Sequence, residues 1–153
     1  MGVTLERAPL TELVLVTLRT AGWAVGDGEM PDSAWIGQPN HPNAHYEPFA
    51  VASELVADRS DGPIGDSQAD WRLPYMVEYF GITRPQVTLV ADRMRGLLDS
   101  IRFTKVVMGE ATYKVQYVRH DNFGSPQKIS VTNPPFWQQQ DGITLWMGKT
   151  KPA

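Results

Sequence analysis

Cysteine is missing from all 153 residues, which removes disulfide scaffolds, thiolate zinc sites and cysteine nucleophiles at once. Histidine is scarce: His41, His45 and His120 are the full set. His41 and His45 stand four apart, a ligand spacing that works only on a helix, and Pro42 in "NHPNAH" forbids one there. Both read as loop residues. His120 precedes Asp121, but neighbours on a strand point to opposite faces, so the two form no natural acid/base dyad. No apolar run reaches the length of about 18 residues that a membrane span needs. The opening "MGVTLERAPL" lacks a charged segment followed by an apolar one, so no signal peptide is expected. Glu6 occupies the place where myristoylation wants Ser or Thr. Neither charge sign dominates. A net charge of −3 and a pI near 5.5 argue against a dedicated nucleic-acid binder, which carries a basic excess. Glycine-rich phosphate loops, G-x-S-x-G elbows and H-E-x-x-H pairs are all missing. The expectation is a soluble, cytoplasmically made chain that is not an enzyme and has no cofactor, no metal and no membrane partner.

What is present is the material of one domain, residues 1–153, with 42% hydrophobic and 20% charged residues. In "APLTELVLVTLRTAG", Pro9 suits a first helical turn and Gly22 a stop. Leu10, Leu13, Val14, Thr17, Leu18 and Ala21 form one stripe, widened by Leu15 and Val16, with Glu12 and Arg19 on a narrow polar side. So apolar a helix packs on more than one surface, and Leu15 and Val16 are candidates for a contact between subunits. A second helix starts at Thr83 with Gln86 as a capping box and Pro85 in the first turn. Its stripe runs from Val87 through Val90, Ala91, Met94, Leu97 and Leu98 to Ile101, and Arg95 and Asp99 pair four apart on the other side.

Strands fill the rest. Phe49–Ala57 and Trp71–Phe80 read as extended, and Pro74 predicts that the latter lies at a sheet edge or carries a bulge. Further strands are expected near Val106, Thr112, Lys128 and Ile143, with Asp141-Gly142 as a tight turn before the last. Helix, strands, helix, strands predicts an α+β domain: a mainly antiparallel sheet with two helices packed on one face.

Two stretches invite a functional reading. "ADRSDGPIGDSQAD" places Asp58, Asp61, Asp66 and Asp70 among glycines and Pro63. Their gaps miss the calcium-loop pattern, and no glutamate closes it. Solvated turn residues explain them, as Asp and Gly serve turns readily, although two carboxylates can also share acid/base work. "FWQQQD" sets Phe136 and Trp137 behind Pro134-Pro135. This is either an exposed contact loop or a core anchor, because aromatics are enriched in both settings.

The segment "GPIGDSQADWRLPYMVEYFGITRPQVTLVADRMRGLLDSI", residues Gly62 to Ile101, resembles the tail terminator proteins of long-tailed, non-contractile bacteriophages, particularly those infecting actinobacteria. The shared features are a Gly-Pro turn, a strand through Tyr75 and Val77 ending at Gly81, and a Thr-Arg-Pro-Gln cap opening a helix with "ADRMRGLL". The apolar first helix, "WIGQP" and "DGITLWM" extend the likeness over most of the chain. The resemblance implies an α+β fold and a six-membered ring on the finished tail tube, at the head-proximal end of the tail in the virion. It also implies three partners besides further copies of the chain: the tail tube protein, a head-completion or neck protein, and DNA that passes through unbound. A neighbouring head–tail joining ring protein shares size and acidity. A small metal-dependent hydrolase using the aspartates and His120 belongs to another class, as does a ligand-binding module with an apolar pocket. Six copies at −3 each carry −18, and an acidic lumen repels DNA phosphates. Asp58, Asp61, Asp66 and Asp70 are therefore candidates for a lumen- or tube-facing loop. Changing all four to Asn should leave the fold intact and impair DNA passage or head joining; fully infectious particles carrying the quadruple change would overturn that assignment.

Overall fold

The computed structural model describes residues 6–32, 35–36, 45–56, 58–59, 71–129 and 136–150. Along the chain these form α1 (Ala8–Arg19), β1 (Ala24–Asp27), β2 (Trp35–Ile36), β3 (His45–Tyr46), β4 (Phe49–Glu54), β5 (Asp58–Arg59) and β6 (Trp71–Gly81). There follow α2 (Arg84–Asp99), β7 (Lys105–Met108), β8 (Ala111–Phe123), β9 (Gln127–Ile129) and β10 (Phe136–Lys149). The main sheet has the order β1-β4-β6-β10-β8-β7, with β5 added beside β6 and β9 beside β10. Strands β2 and β3 make a separate two-stranded piece. Every pairing but the parallel β1–β4 is antiparallel. The fold is α+β, as the alternation of patterns predicts.

The alternating strand β6 explains where the core lies. Leu73, Tyr75, Val77 and Tyr79 are buried on one face and meet Leu145, Ile143, Asp141 and Gln139 of β10 in register. Both helices cover this face. Helix α1 contributes Leu10, Val14, Leu15 and Leu18, and α2 contributes Val87, Val90, Ala91, Met94 and Leu98. Pro9 lies in the first turn of α1 as expected, and Gly22, with φ of 95°, stops the chain just beyond it. Thr83 caps α2 by accepting from the Gln86 N–H at 3.3 Å. The return arm of the capping box is shifted by one residue, because Gln86 Oε1 takes the Ile82 N–H at 2.7 Å.

Several expectations need correction. Pro74 marks no edge: β6 lies between β4 and β10. Its carbonyl accepts from the Leu55 N–H just beyond β4, so the missing proline N–H faces the Leu55 carbonyl, and Arg7 Nη1 donates to that carbonyl in its place. Asp141-Gly142 is no turn either. Strand β10 runs straight through it, with a register shift against β8 between Gly142 and Ile143. Phe136 and Trp137 open that same strand, so the contact-loop reading fails. Phe136 packs edge-on against Phe80 at 5.4 Å, and Trp137 packs on the core. His45 stands in β3, not in a loop, while His41 falls outside the described residues.

Leu15 is a core residue at 4% exposure, whereas Val16, at 49%, faces solvent. A neighbouring subunit therefore has Val16 to touch, not Leu15. Leu15→Asp would bury an unpaired charge and should cost about 4 kcal/mol of stability, while Val16→Asp should stay within about 0.5 kcal/mol. Urea unfolding of the two variants checks this; equal losses would place both side chains in the same environment.

Candidate functional site

The second helix is long enough to reach from the end of β6 to β8, and its fourth turn points Arg95 at the sheet. Arg95 Nε and Nη2 donate to the two Asp141 carboxylate oxygens at 2.6 and 2.7 Å, a bidentate pair, and Nη1 donates to Asp92 Oδ1 at 3.2 Å. The Asp141 side chain is fully buried, while that of Arg95 keeps 19% exposure. Hydrogen bonding to Asp141 is the main cause that raises the Arg95 pKa above its ordinary value. On the same face burial, aided by the Asp141 charge, pushes the Tyr79 phenol far up, so that it stays protonated. The pairing of Arg95 with Asp99 expected from helical spacing does not form. Asp99 instead meets His120 Nε2 at 2.8 Å, and Asp121 pairs with Arg119 Nε, also at 2.8 Å. His120 and Asp121 thus serve different partners, as strand alternation demands.

Helix α1 is held by its own polar cluster. The Thr11 hydroxyl lies 2.9 Å from the Tyr75 hydroxyl and donates to Glu54 Oε1. Arg7 donates from Nε to the Tyr75 hydroxyl at 3.3 Å, and its guanidinium lies 4.3 Å from the centre of the Tyr75 ring. Its two terminal nitrogens donate to the carbonyls of Leu55 and Pro74, at the break between β4 and β5. Burial raises the Tyr75 pKa, against the lowering effect of its bonds to Thr11 and Arg7. Sequence reading missed this cluster because Thr11 and Glu54 are 43 residues apart and neither belongs to a motif.

Chemically these arrangements clamp. The Asp141 carboxylate is fully buried under its two guanidinium bonds, and Arg7 ties up the carbonyls of Leu55 and Pro74. Among the described residues no three His, Asp or Glu side chains gather as a metal site would require. The four singled-out aspartates are only partly visible. Asp58 lies in β5, its backbone opposite Arg72, and Asp61, Asp66 and Asp70 fall outside the described residues.

The surface holds more that is unspent. An open groove of about 690 Å³ follows β8 from Gln116 to His120, with Trp146 beside it. Arg72 lies 4.5 Å from the Trp146 ring centre, directly across the β6–β10 ladder. On the same sheet face Phe49 stacks on Phe80 at 4.5 Å. Phe103, Val107 and Tyr117 are the large exposed apolar side chains at the β7–β8 end. No helix among the described residues is long and apolar enough to cross a membrane.

Two solved structures superpose on this chain. One, known by a sequence identifier alone, superposes with a TM-score of 0.51 at 14% identity, covering 96% of this chain and 92% of that one. Another, from the virion of a native gene transfer agent particle, reaches a TM-score of 0.48 at 12% identity, over 94% of this chain and 95% of that one. The first likeness speaks for the fold alone, and the second score is too low to add to it. Neither a protein-family model nor a curated protein matches the chain.

Removing one member of the buried pair should be costly and asymmetric. Arg95→Met strands a fully buried carboxylate and should cost about 3–5 kcal/mol, whereas Asp141→Ala leaves Arg95 a route to water and to Asp92 and should cost less. Guanidinium unfolding of both variants gives the comparison; equal or reversed losses would contradict the burial argument.

Proposed function

We propose that this chain is a structural protein of a tailed-phage-like virion and, within that class, a tail terminator. Several copies, six by the family resemblance, close into a ring on the finished tail tube, end its growth and present a surface to the head-completion protein. DNA crosses the lumen without being gripped. The reading is of a non-enzymatic assembly part.

The observation that carries it is the place of the resembling segment in the fold. The part of Gly62–Ile101 that is described forms β6, at the middle of the sheet, and the Thr83-capped helix α2 that the Arg95–Asp141 pair clamps to β10. A likeness concentrated in the central strand and its covering helix concerns the scaffold itself, not a peripheral loop. The functional step still rests on that sequence resemblance, since one fold serves many functions. The chemistry of the described residues agrees with such a role: the internal polar groups hold helices to the sheet, and exposed apolar side chains remain for neighbours. A ring needs two different patches per subunit, since only a head-to-tail contact repeats around an axis.

Tail tubes grown without the terminator provide the test. Added protein should bind at one tube end and halt elongation, seen by negative-stain electron microscopy. Binding along the tube wall, or no binding, would overturn the reading. Capture by a portal-side ring instead of the tube would make the chain a neighbouring neck component.

A further inference from the structure

At the β7–β8 end, Phe103 is 59% exposed and yet sits at φ of 72°. Bulky side chains rarely adopt that left-handed backbone, and such strain persists only where surrounding structure imposes it. Here the Phe103 N–H is held by the Val115 carbonyl at 2.6 Å. The ring has Arg102 at 4.8 Å and Lys114 at 5.3 Å. Arg102 lies 5.7 Å from the ring of Tyr117, which also lines the β8 groove. Phe103, Tyr117 and the groove are therefore one continuous strip, aromatic at its centre and cationic at its rim, on a chain of net charge −3. The core gains nothing from a strained aromatic held in solvent.

The complementary feature follows β1. Asp27, Gly28, Glu29 and Met30 are all exposed, as is Asp32, and residues 24–32 contain no basic side chain. Met30 retains 44% exposure. The turn has a preset shape: the Gly28 N–H donates to the Ala52 carbonyl at 2.8 Å, and a Cβ on Gly26 would lie 1.8 Å from the Glu29 carbonyl oxygen. It is a rigid acidic knob with an apolar tip, so little ordering entropy opposes its docking.

We propose that the β8 groove of one copy receives the Asp27–Asp32 turn of a second copy. Met30 lies against Tyr117 and Trp146, and the carboxylates face Arg102 and Lys114. Knob and groove are different patches of the chain, so the contact is head-to-tail and propagates into a ring or a filament. This rests on the ring reading above and assigns the contact that reading requires. A polyanion such as DNA is the competing occupant of the cationic strip.

The cysteine-free sequence allows a clean test. Tyr117→Cys and Glu29→Cys chains, mixed and oxidised, should give mixed disulfide dimers in clear excess over matched ones. Arg102→Glu with Lys114→Glu in the first chain should lower the mixed yield about tenfold, and Asp27→Lys with Asp32→Lys in the second should restore it. Circular dichroism verifies that each variant is folded. Statistical mixing would overturn the proposal, and if light scattering of the parent chain then still gave ring-sized particles, the ring reading would stand without this contact. Abundant mixed dimers from a protein that fails to cap tubes would keep the contact and remove the terminator role. Duplex DNA binding lost on Phe103→Ala, together with statistical mixing, would assign the strip to nucleic acid.

Discussion

The bidentate pair between Arg95 and Asp141 is the constraint on which the rest of this structure depends. A fully buried carboxylate is tolerable only when its charge is met at hydrogen-bonding distance, and a guanidinium fork meets it with both oxygens satisfied. Because Arg95 is on α2 and Asp141 on β10, meeting that need fixes where the helix lies along the sheet. It also explains why the chain does not turn at Asp141-Gly142. The pairing is formed from a strand, and a turn there would carry the carboxylate to solvent and leave Arg95 facing apolar side chains.

The other helix obeys the same logic with different chemistry. Apolar burial alone would let α1 slide along the core, since hydrophobic attraction has little direction. Thr11, Tyr75 and Glu54 supply the direction, and Arg7 completes it by satisfying carbonyls at the break between β4 and β5. Pro74 is tolerated near the sheet centre for the same reason: Arg7 donates to the Leu55 carbonyl that a residue-74 N–H would otherwise meet. Each helix is thus packed by its stripe and positioned by polar contacts to the sheet.

With the Arg95–Asp141 and Thr11–Tyr75–Glu54 groups holding the helices, the exposed apolar side chains are what the surface offers to other molecules. The exposed apolar side chains are not scattered evenly. Phe103, Val107 and Tyr117 gather at one end among cations, and Met30 tips an acidic turn after β1. Strain at an exposed aromatic and a preset acidic turn give this surface both shape and charge.

Much of this was legible in the sequence. Pro9 and Gly22 delimit α1, and Thr83 with Pro85 starts α2, because caps and stops are local backbone chemistry. The alternation in Trp71–Phe80 gave the core face of β6, and the order of patterns gave the α+β class. Local signals misled where tertiary packing outweighed them: Asp-Gly read as a turn, Arg95 as the partner of Asp99, and Leu15 as an interface residue; of the two readings of Pro74, the edge fails. For Arg95 and the Asp-Gly pair the deciding partner lies far along the chain, Asp141 being 46 residues from Arg95. The sequence by itself determined which segments become helix or strand and which side of each is apolar, because those follow from neighbours within a few residues. Only the tertiary structure decided which charges pair, which apolar side chains stay outside and where a strained phenylalanine faces solvent, because burial is a property of the assembled layers.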